Sequence, residues 1–154
     1  MSRAPYTGPL VGMPTLTFDK VDVRARSPER TNSIAWDIFA YLLTESGRET
    51  SRAIHQKGVT EVRTGLIFHP PPNHYLQVTS KTSLTRRGVF VANAPGLVDP
   101  TFEEELTILL FNGSYQTEYV AHGHRIAQVV LLPIPKFDVR ERVQASEHSE
   151  DVHT

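Results

Sequence analysis

The sequence predicts an all-β protein, a sandwich or barrel built from many short strands. Short runs rich in valine, isoleucine, threonine and phenylalanine recur along the chain, and residues that favour turns separate them. Short strands at such a spacing are typical of β-sandwiches and β-barrels. The single long helical candidate, 44–56, is polar and only weakly periodic, so we expect it to be an insertion.

The predicted elements follow one another with little sequence between them. Leu16, Phe18, Val21 and Val23 mark a first extended stretch, and the apolar segment 34–43 fits either a strand or a helix. Further strands are predicted at 59–68, 75–79, 88–91, 106–111, 115–120 and 126–134. The turns between them are predicted at 69–73, 94–96, 112–113 and 121–123, and one helical turn is predicted at 83–87.

The chain is predicted to form one domain. Residues 15–137 contain no low-complexity break and no clear internal repeat, so we assign them to one folded body. Residues 1–14 carry three prolines and are predicted to be a flexible N-terminal arm. Residues 138–154 are polar, which predicts a C-terminal tail.

Charge and composition exclude several classes of function. A formal net charge of -1 argues against wholesale binding to nucleic acid or to an anionic membrane. The absence of cysteine excludes disulfides, cysteine-zinc sites and thiol nucleophiles. No apolar run approaches the roughly 18 residues of a membrane span, and the N-terminus lacks a signal-peptide core. We therefore expect a soluble protein that is cytoplasmic or otherwise intracellular.

Five stretches between residues 25 and 134 stand in the order and approximate spacing of one enzyme family. They are ARSPERTNSIAWDIFA (25–40), VRTGLIFHPPPNHYLQV (62–78), SKTSLTRRGV (80–89), NAPGLVDPTFEEEL (93–106) and GHRIAQVVL (123–131). In these stretches the chain resembles the dUTPase family. The resemblance implies a distorted β jelly-roll or barrel that forms a homotrimer, with nucleotide sites at the subunit interfaces. It also implies hydrolysis of dUTP to dUMP and pyrophosphate with the help of Mg²⁺.

Asp99 is the residue that this resemblance assigns to catalysis. Cleavage of a phosphoanhydride needs a water molecule aimed in line at phosphorus and a nearby group that accepts its proton. The matching aspartate of the family orients that water. Taken alone, an aspartate before Pro100 is more often a solvated turn residue.

Base and sugar recognition are assigned to the hairpin that precedes Asp99. The Asn93 amide offers a donor and an acceptor, which suits the O4 and N3–H edge of uracil. Cytosine reverses this pattern, so we expect the hairpin to reject it. Phe102 replaces the family's usual tyrosine, and its ring is implied to pack under the deoxyribose and exclude a 2′-hydroxyl. The remaining hairpin residues implied to bind substrate are Gly96, Leu97 and Val98.

Phosphate binding is assigned to a separate loop and strand. The residues that match the family's phosphate contacts are Lys81, Thr82, Ser83 and Gln128, with Asp37 and Arg125 as supporting residues. Arg125 is expected to form a structural salt bridge. Mg²⁺ is expected to bind through the substrate phosphates rather than through a protein cage. No metal site is expected at His122 and His124, because no carboxylate or cysteine completes one at a known spacing.

Three departures from the family pattern keep other functions open. No glycine follows Pro135, whereas the family has a glycine-rich C-terminal arm; Glu104 replaces a hairpin glycine; and Ala35 and Trp36 stand where Gly-Tyr is usual. The alternative to the enzyme is a non-catalytic protein of the same fold used for binding, regulation or assembly. A dCTP deaminase is less favoured, because Leu109 occupies the position of that branch's catalytic glutamate.

Overall fold

The computed structural model describes residues 12–144 and confirms the all-β class. Most of the predicted arm, residues 1–11, and the end of the predicted tail, residues 145–154, lie outside the described residues. The strands in the described part are β1 Thr17–Lys20, β2 Glu29–Arg30, β3 Trp36–Phe39, β4 Ser51–Ile54, β5 Val59–Arg63, β6 Leu66–His69, β7 His74–Ser80, β8 Val89–Val91, β9 Gly96–Val98, β10 Thr107–Asn112, β11 Glu118–Ala121 and β12 Arg125–Pro133. One short helix, α1, spans Thr82–Thr85 between β7 and β8.

The strands pair antiparallel in four sheets. The largest has five strands in the order β2-β3-β12-β7-β9, and a three-stranded sheet has the order β5-β10-β8. Two further sheets are the pairs β1-β6 and β4-β11. Alternate residues of each strand point to opposite faces, so one face of each large sheet supplies the core. The described helix of four residues is far too short and polar to cross a membrane.

The helical candidate at 44–56 contains no helix. The chain makes a tight turn there, in which the Thr44 hydroxyl accepts a hydrogen bond from the Arg48 N–H at 3.0 Å. Gly47 has a φ of +87°, a conformation that L side chains rarely adopt. The segment then continues as strand β4, whose Ile54 is fully buried. Strand β4 is mostly polar and exposed, so its sequence does not alternate between apolar and polar residues. The sequence pattern therefore did not predict this strand.

The predicted strand 59–68 is two strands, broken at Gly65. This glycine has a φ of +70°, and a Cβ placed there would lie 2.7 Å from the Cβ of Ala25. Only glycine fits both the backbone conformation and this close approach. Because of this break, β5 pairs with β10 in the three-stranded sheet, whereas β6 pairs with β1. The ambiguous segment 34–43 contains strand β3.

The core positions the loops that carry the predicted site residues. On β10, Ile108 and Leu110 are buried, whereas Thr107 and Leu109 lie on the opposite, partly exposed face. On β9, Val98 is buried next to Leu76 of β7. The hairpin before Asp99 is therefore anchored to the core through β9 and β7.

Candidate functional site

The hairpin before Asp99 borders a partly open cavity of about 360 Å³, which we call the hairpin cavity. The residues that line it are Glu61, Val78, Val91, Asn93, Gly96, Leu97, Val98, Phe102, Leu106, Thr107, Ile108 and Leu109. The structure thus brings together all five predicted base- and sugar-binding residues. Gly96 packs closely against β7, because a Cβ at position 96 would lie 3.3 Å from the Cβ of Val78. A cavity with apolar walls and few polar groups has the character of a small-molecule site.

A second cavity of about 490 Å³ adjoins the first and shares Leu97 and Phe102 with it. We call it the acidic cavity, because its other lining residues are Asp99, Thr101, Glu103 and Glu104. Phe102 is partly buried and packs against the core between the two cavities. The two cavities are therefore neighbours with a common wall, and the second is the richer in carboxylates.

Asp99 is exposed in the acidic cavity and is held by Thr101. Its Oδ1 accepts hydrogen bonds from the Thr101 hydroxyl at 2.6 Å and from the Thr101 backbone N–H at 2.8 Å. These two bonds lower the pKa of Asp99 below its usual range. The carboxylate is therefore ionised and oriented by the turn, which leaves Oδ2 directed away from these bonds.

The three consecutive glutamates of this region do not all face the cavity. Glu105 forms a two-pronged ion pair with Arg63, with distances of 2.8 and 2.9 Å. Glu103 and Glu104 remain in the lining of the acidic cavity. No lysine, arginine or histidine from residues 12–144 lines either cavity. Any anionic ligand there needs positive charge from elsewhere.

The predicted phosphate loop lies at the other end of strand β7. Lys81 does not point freely to solvent, because its Nζ donates to Asp37 Oδ1 at 2.7 Å and its side chain is only 16% exposed. Thr82 and Ser83 are exposed at the start of α1. The predicted hydroxyl groups are thus accessible, whereas the predicted cation is already paired.

Asp37 joins the loop to the neighbouring strands. Its second oxygen, Oδ2, accepts a hydrogen bond from Arg125 Nε at 2.9 Å, and Arg125 also pairs with Glu29 at 3.1 Å. Burial alone would raise the pKa of Asp37, but the hydrogen bonds from Lys81, Thr31 and Arg125 outweigh it and hold this pKa below the usual range. Gln128 of β12 lies directly opposite Asp37 of β3, so the two side chains share one face of the sheet.

The two groups of predicted residues are far apart within one chain. Val98 pairs with Leu76, so Asp99 lies near the level of Tyr75 on β7. Lys81 follows six residues after Tyr75, which corresponds to ~20 Å at the rise of a β-strand. One chain therefore carries the hairpin with Asp99 at one end of β7 and the predicted phosphate loop at the other end.

Histidines of the described part form hydrogen bonds with backbone N–H groups or make contacts at the surface. His122 Nδ1 accepts a hydrogen bond from the Leu42 N–H at 3.0 Å, and His124 Nδ1 accepts one from the Ala121 N–H at 3.1 Å. His69 contacts Asp19 at 2.7 Å on the surface. Within residues 12–144 no three histidine, aspartate or glutamate side chains are grouped as a metal site.

Seven lining residues of the hairpin cavity were missed from the sequence, and three of them lie on one face of the paired strands β5 and β10. Glu61 of β5 stands directly opposite Leu109 of β10, and Thr107 lies on the same face as Leu109. Glu61 and Thr107 are 46 residues apart in the sequence and are in contact only because β5 pairs with β10. No local sequence pattern predicts this contact. An alternation of exposed and buried residues in 59–63 is the one signal that places Glu61 outside the core.

Comparison with known proteins gives one consistent result. A family model described as dUTPase matches residues 48–152. Among curated relatives, deoxyuridine 5′-triphosphate nucleotidohydrolase of Anaplasma marginale is 29% identical over 94 residues, which are 60% of this chain and 64% of that protein. The enzyme of the same name from Gloeobacter violaceus is 37% identical over 92 residues, which are 59% of this chain and 62% of that protein. More than a third of each relative is thus unmatched.

Solved structures share the fold at low sequence identity. The dUTPase from phage phi11 of S. aureus, in which a structural Mg(II) ion is coordinated, has a TM-score of 0.71 at 17% identity, covering 86% of this chain and 99% of that one. The Staphylococcus bacteriophage 80alpha dUTPase with dUpNHpp has a TM-score of 0.71 at 17% identity, covering 86% and 90%. These similarities establish a dUTPase-like fold for the described chain.

Proposed function

The chain belongs to the dUTPase family, and on this premise we propose that it hydrolyses dUTP to dUMP and pyrophosphate. The observation that carries the proposal is the junction of the two cavities. A cavity lined by Asn93 and Phe102 opens beside an ionised, oriented Asp99. This arrangement supports the proposal, because a nucleoside bound in the hairpin cavity would have its phosphates near a carboxylate that can orient a water molecule.

The hairpin cavity binds the deoxyuridine in this proposal. The Asn93 amide donates to O4 of uracil and accepts from N3–H, and the backbone of Gly96, Leu97 and Val98 borders the base. Phe102 separates the two cavities and supports the deoxyribose. The apolar walls exclude water from the base.

Asp99 acts on the water in the acidic cavity. The water attacks the α-phosphorus, the bond from this phosphorus to the oxygen that bridges the α- and β-phosphates breaks, and dUMP and pyrophosphate are formed. Asp99 Oδ1 is fixed by Thr101, so Oδ2 orients the water and accepts its proton. The proton then passes to the leaving pyrophosphate.

Magnesium fits the acidic cavity as a partner of the phosphates. The ion would be held mainly by phosphate and water oxygens, because within residues 12–144 no three acidic or histidine side chains are grouped as a metal site. The lining of the acidic cavity carries no lysine, arginine or histidine that would repel it. The ion would neutralise the phosphate charge and keep the two glutamates from repelling the substrate.

The phosphate half-site comes from a second copy of the chain in this proposal. Lys81, Thr82, Ser83 and Gln128 lie too far from Asp99 in their own chain to reach the same triphosphate. An assembly that brings the loop of one copy to the acidic cavity of another adds the exposed Thr82 and Ser83 hydroxyls to the site as hydrogen-bond donors for phosphate. A closed ring of three such contacts is a homotrimer.

The assembly gives the first test. A light-scattering mass near three times the 17.3 kDa of one chain is expected, because a lone subunit holds only half-sites. The interface should be large and should carry few charges in its centre. A mass near that of a single chain would contradict the composite site.

The reaction gives the second test. With Mg²⁺, the protein should release pyrophosphate from dUTP, and kcat/KM for dTTP and UTP should be ~10- to 100-fold lower. The 5-methyl group of thymine is expected to clash with the hairpin, and the 2′-hydroxyl of UTP with Phe102. A coupled pyrophosphate assay checks this. Binding of dUTP without any pyrophosphate release would indicate the non-catalytic role, and equal rates with all three nucleotides would refute the assigned pocket.

A further inference from the structure

The Asp99 carboxylate lies at the surface of the acidic cavity, where few groups restrict it. The residue is exposed, and no lysine, arginine or histidine of residues 12–144 lines this cavity. The other carboxylates of the lining, Glu103 and Glu104, carry the same charge and cannot hold it by attraction. An exposed aspartate without a fixed partner rotates among its staggered χ1 rotamers. The proposed reaction needs one of these orientations.

Thr101 restricts this rotation with two hydrogen bonds to one carboxylate oxygen. Its hydroxyl donates to Asp99 Oδ1 at 2.6 Å, and its backbone N–H donates to the same oxygen at 2.8 Å. A hydroxyl-to-carboxylate distance of about 2.5–2.7 Å is that of a charge-assisted hydrogen bond. Any residue except proline supplies the backbone N–H, whereas a side-chain hydroxyl in this turn requires threonine or serine. The hydroxyl is therefore the part of the arrangement that depends on the residue at position 101.

The same hydroxyl makes Asp99 a weaker base. The side-chain hydrogen bond from Thr101 is the largest cause that holds the pKa of Asp99 below its usual value of 3.8. A base with a lower pKa accepts a proton less readily in the transition state. If the hydroxyl only tuned base strength, its removal would speed the reaction. If it orients the carboxylate, its removal would slow the reaction, so the two roles predict opposite signs.

We propose that Thr101 is a positioning residue for the reaction, whose hydroxyl holds the Asp99 carboxylate so that Oδ2 faces the attacking water. The inference rests on the proposed function, because it takes Asp99 as the group that accepts the proton. Thr101 acts through Asp99 and takes no part in the proton transfer itself. Asp99 stays ionised at neutral pH without the hydroxyl, since its usual pKa of 3.8 is also far below neutrality. The loss is therefore one of orientation.

Thr101→Val tests this role in the full chain. Valine has nearly the shape of threonine and keeps the backbone N–H, but it lacks the hydroxyl. The single-turnover rate of pyrophosphate release from dUTP with Mg²⁺ should fall ~10-fold or more, because a small misplacement of a catalytic group can cost up to about 100-fold. The Kd for dUpNHpp should change little. Thr101→Ser keeps the hydroxyl and should restore most of the rate.

The orientation of Asp99 is measured without turnover. Three-bond NMR couplings across χ1 of Asp99 distinguish a side chain held in one rotamer from one that averages over several. The nucleotide-free parent and Thr101→Ser should give the couplings of a single rotamer at neutral pH. In Thr101→Val the couplings should move towards averaged values.

Thr17→Val is the matched control. Thr17 is exposed on strand β1 and lines neither cavity, so the same loss of a hydroxyl there should change neither the rate nor the Asp99 couplings. A general effect of replacing a surface threonine would appear in this variant as well.

The outcomes separate this inference from the proposed function. If the parent releases pyrophosphate and Thr101→Val reacts as fast or faster, or keeps a single Asp99 rotamer, the positioning role is overturned and the proposed function stands. Equal losses in Thr101→Val and Thr101→Ser also overturn it, because the hydroxyl is then not the cause. An affinity loss as large as the rate loss overturns it too, since Thr101 would then shape the binding site. A parent without pyrophosphate release overturns both.

Discussion

Replacement of Asp37 by asparagine should lower the free energy of unfolding by about 2–4 kcal/mol. Removing one partner of a buried ion pair costs about 3–5 kcal/mol, and the lower range applies here because the Arg125 side chain is 48% exposed. Asp37 itself is 5% exposed, and its loss leaves Lys81 without a partner. Urea denaturation at one fixed protein concentration measures the difference.

The pH dependence of this difference follows from the direction of the pKa shift. The pKa of Asp37 is lower in the folded state than its usual value of 3.8. Its contribution to stability is therefore complete above the unfolded pKa and is lost as the pH falls through the folded pKa. The difference between parent and Asp37→Asn should stay constant near neutral pH and shrink in acid.

Asp138→Asn provides the matched control for this prediction. Asp138 is 69% exposed and pairs only with the exposed Arg140. Its replacement should change stability by less than about 0.5 kcal/mol. An equally small effect of Asp37→Asn would show that the ion network around Asp37 does not stabilise the fold.

Local features of the site were predictable from sequence, and long-range pairings were not. Asn93, Asp99 and Phe102 lie within ten residues of one another, so a single hairpin places them together. Lys81 and Asp37 are 44 residues apart, and their ion pair arises only because β3, β12 and β7 lie side by side. Lys81 was assigned to phosphate binding because it matches a phosphate contact of the family that the chain resembles. The sequence could not show that the Lys81 ammonium group is already paired with the Asp37 carboxylate.

The fold class was predictable for a similar reason. Alternation within β10 and the apolar run of β12 reflect burial on one or both faces, which a sequence records directly. Strand β4 escaped prediction because only Ile54 is buried there, and its pairing with β11 depends on residues 118–121. Tertiary pairing rather than local pattern made this polar segment a strand.

Replacement of Asp99 by asparagine should lower turnover of dUTP by at least ~100-fold, the lower end expected for the loss of a general base. Asparagine keeps the size of the side chain and its oxygen for the hydrogen bonds from Thr101, but it cannot accept the proton of the attacking water. The pKa of Asp99 is already lowered by Thr101, so the carboxylate of the parent is ionised at neutral pH. Nucleotide affinity should change little, and removal of a negative charge from the acidic cavity could even tighten it.

The measurement compares parent and variant in single-turnover pyrophosphate release at one concentration of Mg²⁺, together with the Kd for dUpNHpp. Asp19→Asn is the control, because Asp19 lies on the exposed strand β1 and contacts His69 rather than either cavity. Its turnover should equal that of the parent. Full turnover in Asp99→Asn would assign the base to another residue. A loss of affinity as large as the loss of turnover would instead show that Asp99 organises the binding hairpin, since its Thr101 hydrogen bonds shape the turn that carries Phe102.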